Sequence, residues 1–201
     1  MADHLLIFAR HPALGQVKTR LAHTIGDAEA LRVYRDLLAH THTAARNVEA
    51  IKTLWLAGEP TAAGSEFDTW HDFAQLPQPA GELGERMQHA FTAAFENGAT
   101  AAVIIGTDCP ELSGELLRDA FEQLTTHDVV LGPALDGGYY LLGMRRLIPD
   151  FFHGKTWSTD TVFEATLVDA ARLGLHVAQL PPLSDVDTAS DLLAWQSRTS
   201  K

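Results

Sequence analysis

Leu5, Leu6, Ile7, Phe8 and Ala9 follow one another without a polar residue, and the run stops at Arg10. Successive side chains of a strand point to opposite faces, so an unbroken apolar run of strand length needs cover on both. His4–Ala9 therefore reads as a strand buried inside a sheet, with helices above and below. Pro12 and Gly15 then mark a loop. From Asp27 to Val48, Ala30, Leu31, Tyr34, Leu37, Leu38, Thr41 and Ala45 recur at helical spacing, with Asp27 placed as N-cap. Residues 51–57 form a second apolar run, and the Gly- and Pro-rich 58–81 reads as loops around at most a short strand.

The alternation continues. Helical spacing covers 83–95, a strand 101–106, and a helix capped by Ser113 runs to Leu124. Strands are expected at 128–132 and 139–144, a helix at 160–173, a strand at 175–180 and a helix at 188–196. Alternating strands and helices predict an α/β fold with a mainly parallel central sheet between two helical layers. With 201 residues and no linker or repeat, the expectation is one domain over 1–201.

A formal net charge of −11 argues against the broad basic surface that a nucleic-acid partner requires. No apolar stretch approaches the ~20 residues of a membrane span, and the start lacks the basic segment of a signal peptide. The single cysteine, Cys109, fits a reducing compartment, so a cytoplasmic location is expected. A small phosphate-bearing ligand remains compatible with this charge, because a few local cations and a metal ion suffice to hold one.

Ligands of open α/β sheets sit beyond the carboxyl ends of the strands, so the strand-end segments carry the functional reading. After the first strand comes Gly15-Gln16-Val17-Lys18-Thr19-Arg20, where a flexible backbone and two cations make either a phosphate cradle or an ordinary surface loop. It is not a P-loop. Gly106-Thr107-Asp108-Cys109-Pro110 places a carboxylate at a strand end, as a hard-oxygen ligand for Mg²⁺ or Mn²⁺ or as a helix cap. Asp185-Val186-Asp187-Thr188 has the same two readings, with N-capping the more ordinary one. Asp136-Gly137-Gly138-Tyr139 is either a ligand-side loop or a tight turn, and Trp157 either stacks on a ligand or anchors packing. His40 and His42 point to different helix faces and do not make a zinc pair, while Cys109 reads as a packed thiol.

Six motifs in order, 8–21, 81–87, 106–110, 132–140, 157–159 and 185–188, resemble a family of small bacterial glycosyltransferase-like proteins of the GT-A fold. The family belongs to the nucleotide-diphospho-sugar transferases. More distantly, the order is similar to guanylyltransferases of molybdenum-cofactor and 2-phospholactate chemistry and to sugar cytidylyltransferases. Arg10 stands where the family usually has Lys, and Leu14 where it often has a second Pro. The resemblance implies a three-layer α/β/α GT-A-like fold and a transferase acting on a nucleotide or nucleotide-sugar and a small acceptor. Nucleotide and phosphates would lie against Ala9, Arg10, Gly15, Lys18, Thr19, Arg20, Gly84 and Arg86. Lys18 and Asp108 would act at the reacting bond, and Asp108 with Asp187 would hold Mg²⁺ or Mn²⁺. Asp136, Gly137, Gly138, Tyr139 and Trp157 would face the acceptor. Two reactions are open, sugar transfer from a nucleotide-diphospho-sugar and nucleotidyl transfer with release of pyrophosphate. The third possibility, a nucleotide-binding protein without turnover, is disfavoured by so many carboxylates retained in one crevice.

Overall fold

A computed structural model describes residues 2–59, 66–157 and 159–199. The chain alternates β1 (Ala2–Arg10), α1 (Thr19–Ile25), α2 (Asp27–Arg46), β2 (Ile51–Ala57), β3 (Ala74–Pro77), α3 (Leu83–Glu96), β4 (Ala99–Ile105) and α4 (Gly114–Gln123). It continues through β5 (Val129–Pro133), β6 (Tyr139–Met144), α5 (Val162–Arg172), β7 (Val177–Gln179) and α6 (Ala189–Thr199). Short 3-10 turns lie at Glu66–Trp70 and Pro149–Phe152.

The strands form one seven-stranded sheet in the order β3-β2-β1-β4-β6-β5-β7. All neighbours are parallel except β6, which runs antiparallel to both β4 and β5. β1 lies inside the sheet, as its apolar run demands. Leu5 and Ile7 enter one core with Leu31, Tyr34 and Leu38 of α2 and Leu117 of α4. Leu6 enters the opposite core with Met87, Ala90 and Phe91 of α3 and Ala170 of α5. Two helical layers thus sandwich the sheet, and a smaller cluster joins Leu21 of α1 and Leu37 of α2 to Val186 and to Leu192 of α6.

Two local expectations are corrected. Asp27 is the first helical residue of α2 and not its N-cap, a position taken by Gly26 at φ 83°, where a left-handed backbone suits glycine. The α1 helix was not anticipated, because its seven residues bury only Leu21 and so present no periodic stripe. Ser113 caps α4 as expected, its hydroxyl accepting from the Leu116 N–H at 3.2 Å. No helix among the described residues is long and apolar enough to cross a membrane.

Candidate active site

From β1 the chain moves one way to β2 and β3, while β4 pairs on the other side of β1. The strand order reverses between β1 and β4, and in open α/β sheets ligands bind outside the carboxyl ends of the strands at such a reversal. The loops leaving those strands, 11–18 and 106–113, carry Lys18 and Asp108. The segment before α6 reaches the same place because the Val186 N–H donates to the Asp108 carbonyl at 3.0 Å.

Three residues distant in sequence converge there. The Lys18 ammonium lies 2.6 Å from Asp108 Oδ1 and 2.8 Å from Asp187 Oδ1, and its side chain is only 5% exposed. Burial alone would push its pKa down, yet the charges and hydrogen bonds of Asp108 and Asp187 hold it above the usual value. Lys18 has φ 46° and ψ 44°, the one non-glycine residue with positive φ among the described residues. A left-handed backbone at a residue with a Cβ costs about 1–2 kcal/mol, so the contacts of the side chain offset local strain. Arg20, 73% exposed, stands 3.6 Å from the other oxygen of Asp187. Thr19 opens α1 beside it on the surface, and Gly15 takes φ 72° in the loop ahead, beside the Asp27 carboxylate.

Asp187 is not the cap of α6; that position falls to Thr188, whose hydroxyl accepts from the Asp191 N–H at 3.4 Å. Asp191 Oδ2 accepts from the Asp187 and Thr188 N–H groups at 3.2 and 2.8 Å, which fixes the start of α6 and leaves the Asp187 carboxylate free to face Lys18. Asp185, two residues earlier, accepts from the Cys109 thiol at 2.5 Å. Burial, with Asp108, Asp136 and Asp187 nearby, pushes Asp185 up to about 6, although the thiol hydrogen bond opposes the rise. Burial and the adjacent Asp185 raise the Cys109 thiol as well, so it stays protonated, a packed donor and not a nucleophile.

One oxygen of Asp108 and one of Asp187 converge on a single cationic nitrogen, so these two carboxylates are the residues that could hold a divalent ion. Hard oxygens are the ligands Mg²⁺ and Mn²⁺ take, and Mg²⁺ typically uses one or two carboxylates and fills the remaining positions with water and substrate phosphate. Among the described residues no group of three or more His, Cys, Asp or Glu side chains is placed to hold a metal ion.

On the α3 side the sequence pointed to Gly84 and Arg86 but not to what holds them. Arg86 Nη1 donates to Gln78 Oε1 at 3.0 Å. The Gln78 amide donates in turn to the carbonyls of Ala9 and Trp55, at 3.2 and 3.0 Å. One side chain thus ties the ends of β1 and β2 to α3. The Arg86 Nε is buried with no hydrogen-bond partner among the described residues. Tyr34 of α2 secures β1 from the other face, its hydroxyl donating to the Arg10 carbonyl at 2.9 Å and accepting from the Arg10 N–H at 2.8 Å. Burial pushes the Tyr34 phenol up to about 12, so it remains a neutral clamp. Sequence reasoning missed both: Tyr34 sits in the apolar stripe of α2, and Gln78 in a Pro-rich loop without pattern.

The residues expected on the acceptor side divide. Asp136 Oδ1 accepts from the Gly138 N–H at 2.9 Å, and the Gly137 N–H donates to the Ala134 carbonyl, so this segment is the tight β5–β6 turn. Its position at the sheet's carboxyl edge lets the Asp136 charge reach Asp185. Gly137, at φ 89°, passes so close to Asp160 that an added Cβ would meet the Asp160 carbonyl oxygen at 2.1 Å. The Tyr139 hydroxyl is enclosed against the α3-side core, without a partner among the described residues. Trp157 lies on Gly84, where a Cβ would come within 2.4 Å of its indole nitrogen. That makes Trp157 a packing anchor for α3. Ser158, within the Trp157–Thr159 motif, lies outside the described residues.

The sheet order, the sandwiching helices and the crevice at the β1/β4 reversal define the fold of the nucleotide-diphospho-sugar transferases. The chain belongs to the family described as "uncharacterized protein conserved in bacteria (DUF2064)", whose model matches residues 39–159. It is similar over 100% of its length, at 34% identity and a TM-score of 0.91, to 89% of a candidate nucleotide-diphospho-sugar transferase from Desulfovibrio desulfuricans G20. CMP:2-keto-3-deoxy-manno-octonic acid synthetase, solved with CTP, matches 100% of this chain and 99% of its own at 10% identity and a TM-score of 0.62. Rv0371c of Mycobacterium tuberculosis H37Rv, in complex with manganese, matches 96% of this chain and 97% of its own at 17% identity and a TM-score of 0.55. The last two establish a shared fold alone. No curated protein matches the chain.

Proposed function

We propose that this protein is a divalent-metal-dependent transferase that binds a nucleotide-diphospho-sugar through its phosphates and passes the sugar to a small acceptor. The observation that carries the reading is the convergence of Lys18, Asp108 and Asp187 at the strand-order reversal. Further support comes from the nucleotide-sugar transferase description of the Desulfovibrio relative and from the manganese found with Rv0371c.

In this reading Asp108 and Asp187 hold the ion, which when bound neutralises phosphate charge as it develops on the leaving group. Lys18 and Arg20 contact the diphosphate oxygens, and Ala9, Arg10, Gly15 and Thr19 shape the floor of the loop. Arg86, held by Gln78, borders the nucleoside end, Gly84 being covered by the Trp157 indole, and Asp136 to Gly138 border the acceptor. The acceptor oxygen forms a bond to the anomeric carbon as the bond from that carbon to phosphate breaks. The electron pair stays with the nucleoside diphosphate, and the acceptor proton passes to solvent.

A second reading, nucleotidyl transfer from a nucleoside triphosphate, is favoured by one feature: Lys18 at the end of the loop after β1 and Arg20 in the first turn of α1 stand side by side and suit a longer phosphate chain. The two part on product, nucleoside diphosphate for sugar transfer and pyrophosphate for nucleotidyl transfer. Calorimetric titration with Mn²⁺ present tests the site common to both. Lys18→Ala should weaken a nucleotide-sugar or triphosphate by about tenfold or more, the order of a lost charge contact, and leave the nucleoside unchanged. Equal nucleotide affinities in both proteins would remove the loop from the site.

A further inference from the structure

We propose that Lys18 is the resident counter-ion of the Asp108–Asp187 pair, closing it to free divalent ions and yielding to an ion that arrives on a phosphate-bearing ligand. The inference rests on the reading of that pair as a metal site and concerns what this chain's own lysine does to it.

The ammonium already touches one oxygen of each carboxylate, at 2.6 and 2.8 Å. An Mg²⁺ bound to the same oxygens would sit about 2.0–2.1 Å from them, in nearly the same place. Two cations cannot share that position, so ion binding requires Lys18 to leave. Its departure is costly for a free ion. The side chain is 5% exposed and has both its salt-bridge partners here, so a metal that takes the carboxylates strips the ammonium of its compensation. A phosphate changes the outcome, because its oxygens give the displaced ammonium new acceptors.

The backbone points to the same device. Lys18 is held at φ 46°, a conformation a lysine rarely adopts and one that directs its side chain toward the carboxylates. Arg20 does not duplicate it. At 73% exposure and 3.6 Å it meets only the outer oxygen of Asp187, where solvent screens the charge. Metal and phosphate binding are therefore coupled through one side chain, and each should improve the other's affinity by the same factor.

The test uses Mn²⁺ as probe, with binding followed by calorimetry and by the paramagnetic resonance of the free ion. Wild type, Lys18→Met and Lys18→Gln are titrated with and without inorganic pyrophosphate, against protein-free blanks. Lys18→Gln keeps a hydrogen-bond donor for the carboxylates and carries the comparison if Lys18→Met does not fold; the wild-type titrations need no variant. Without pyrophosphate, the variants should bind Mn²⁺ at least about tenfold more tightly than wild type, a coupling of ordinary size. Asp187→Asn added to either variant should abolish the gain. Pyrophosphate should strengthen Mn²⁺ binding in wild type far more than in the variants. Equal, tight Mn²⁺ binding by wild type and variants, or equal help from pyrophosphate, overturns the proposal and leaves the metal site standing. Absence of Mn²⁺ binding in every protein, with and without pyrophosphate, overturns both.

Discussion

Asp185 is the acid in the crevice whose behaviour runs against habit. Most carboxylates lose affinity for their proton on folding, but burial together with Asp108, Asp136 and Asp187 raises this one to about 6. The folded state therefore binds the proton more tightly than the unfolded chain. Its stabilising contribution is complete below about pH 4 and is lost as pH rises through about 6. In the metal-free protein, Asp185→Asn keeps an acceptor for the Cys109 thiol and carries no charge at any pH. Urea unfolding should show the variant gaining on wild type by roughly 1–2 kcal/mol between pH 4 and pH 7. A stability difference that is flat across that range would mean the carboxylate is not desolvated as described. The carboxylates and cations themselves were legible in the sequence, because Lys18, Asp108 and Asp187 each follow a strand end. Their mutual contact was not, since an ion pair spanning 169 residues leaves no local pattern.

The α3 helix shows how packing overrides propensity. Glu82 and Glu85 form a reciprocal cap at its start, and the next position that matters is Gly84. On an isolated helix, Gly→Ala stabilises by about 1 kcal/mol. Here the new Cβ would land 2.4–2.5 Å from three atoms of the Trp157 indole, which must move. Overpacking of this kind typically costs about 1–3 kcal/mol, so the net change should be destabilising, with altered Trp157 fluorescence. An increase in the urea midpoint, as at an open helix position, would contradict the close contact. The strongly periodic helices and apolar strands were readable because burial imprints a period on them. The α1 helix was not, and β3 was legible only as at most a short strand within 58–81: α1 buries one residue, and all four residues of β3 are exposed at the sheet edge.

The seven-stranded order makes a ranking of local stability. β1 and β4 each pair with a strand on both sides and are covered by both helical layers, whereas β3 and β7 close the edges. Hydrogen exchange followed by mass spectrometry should find the amides of Leu5–Ile7 and Val103–Ile105 slowest, and those of β3 and β7 faster by orders of magnitude. Uniform protection across the sheet would argue against that hierarchy. The parallel core was visible in the alternation of strands and helices, and the short connection around Gly137 already excludes a parallel crossover from β5 to β6, but that β6 also pairs with β4 was not legible, because no local pattern sets a strand's second neighbour. The wide spacing of the three charged residues also has a consequence for synthesis. Asp187 leaves the ribosome 169 residues after Lys18, a lag of roughly 10–30 s at ordinary elongation rates. For the first part of that interval Lys18 has neither partner and for the rest only Asp108, and the nascent chain cannot assemble the three-residue clasp until its C-terminal segment emerges and docks.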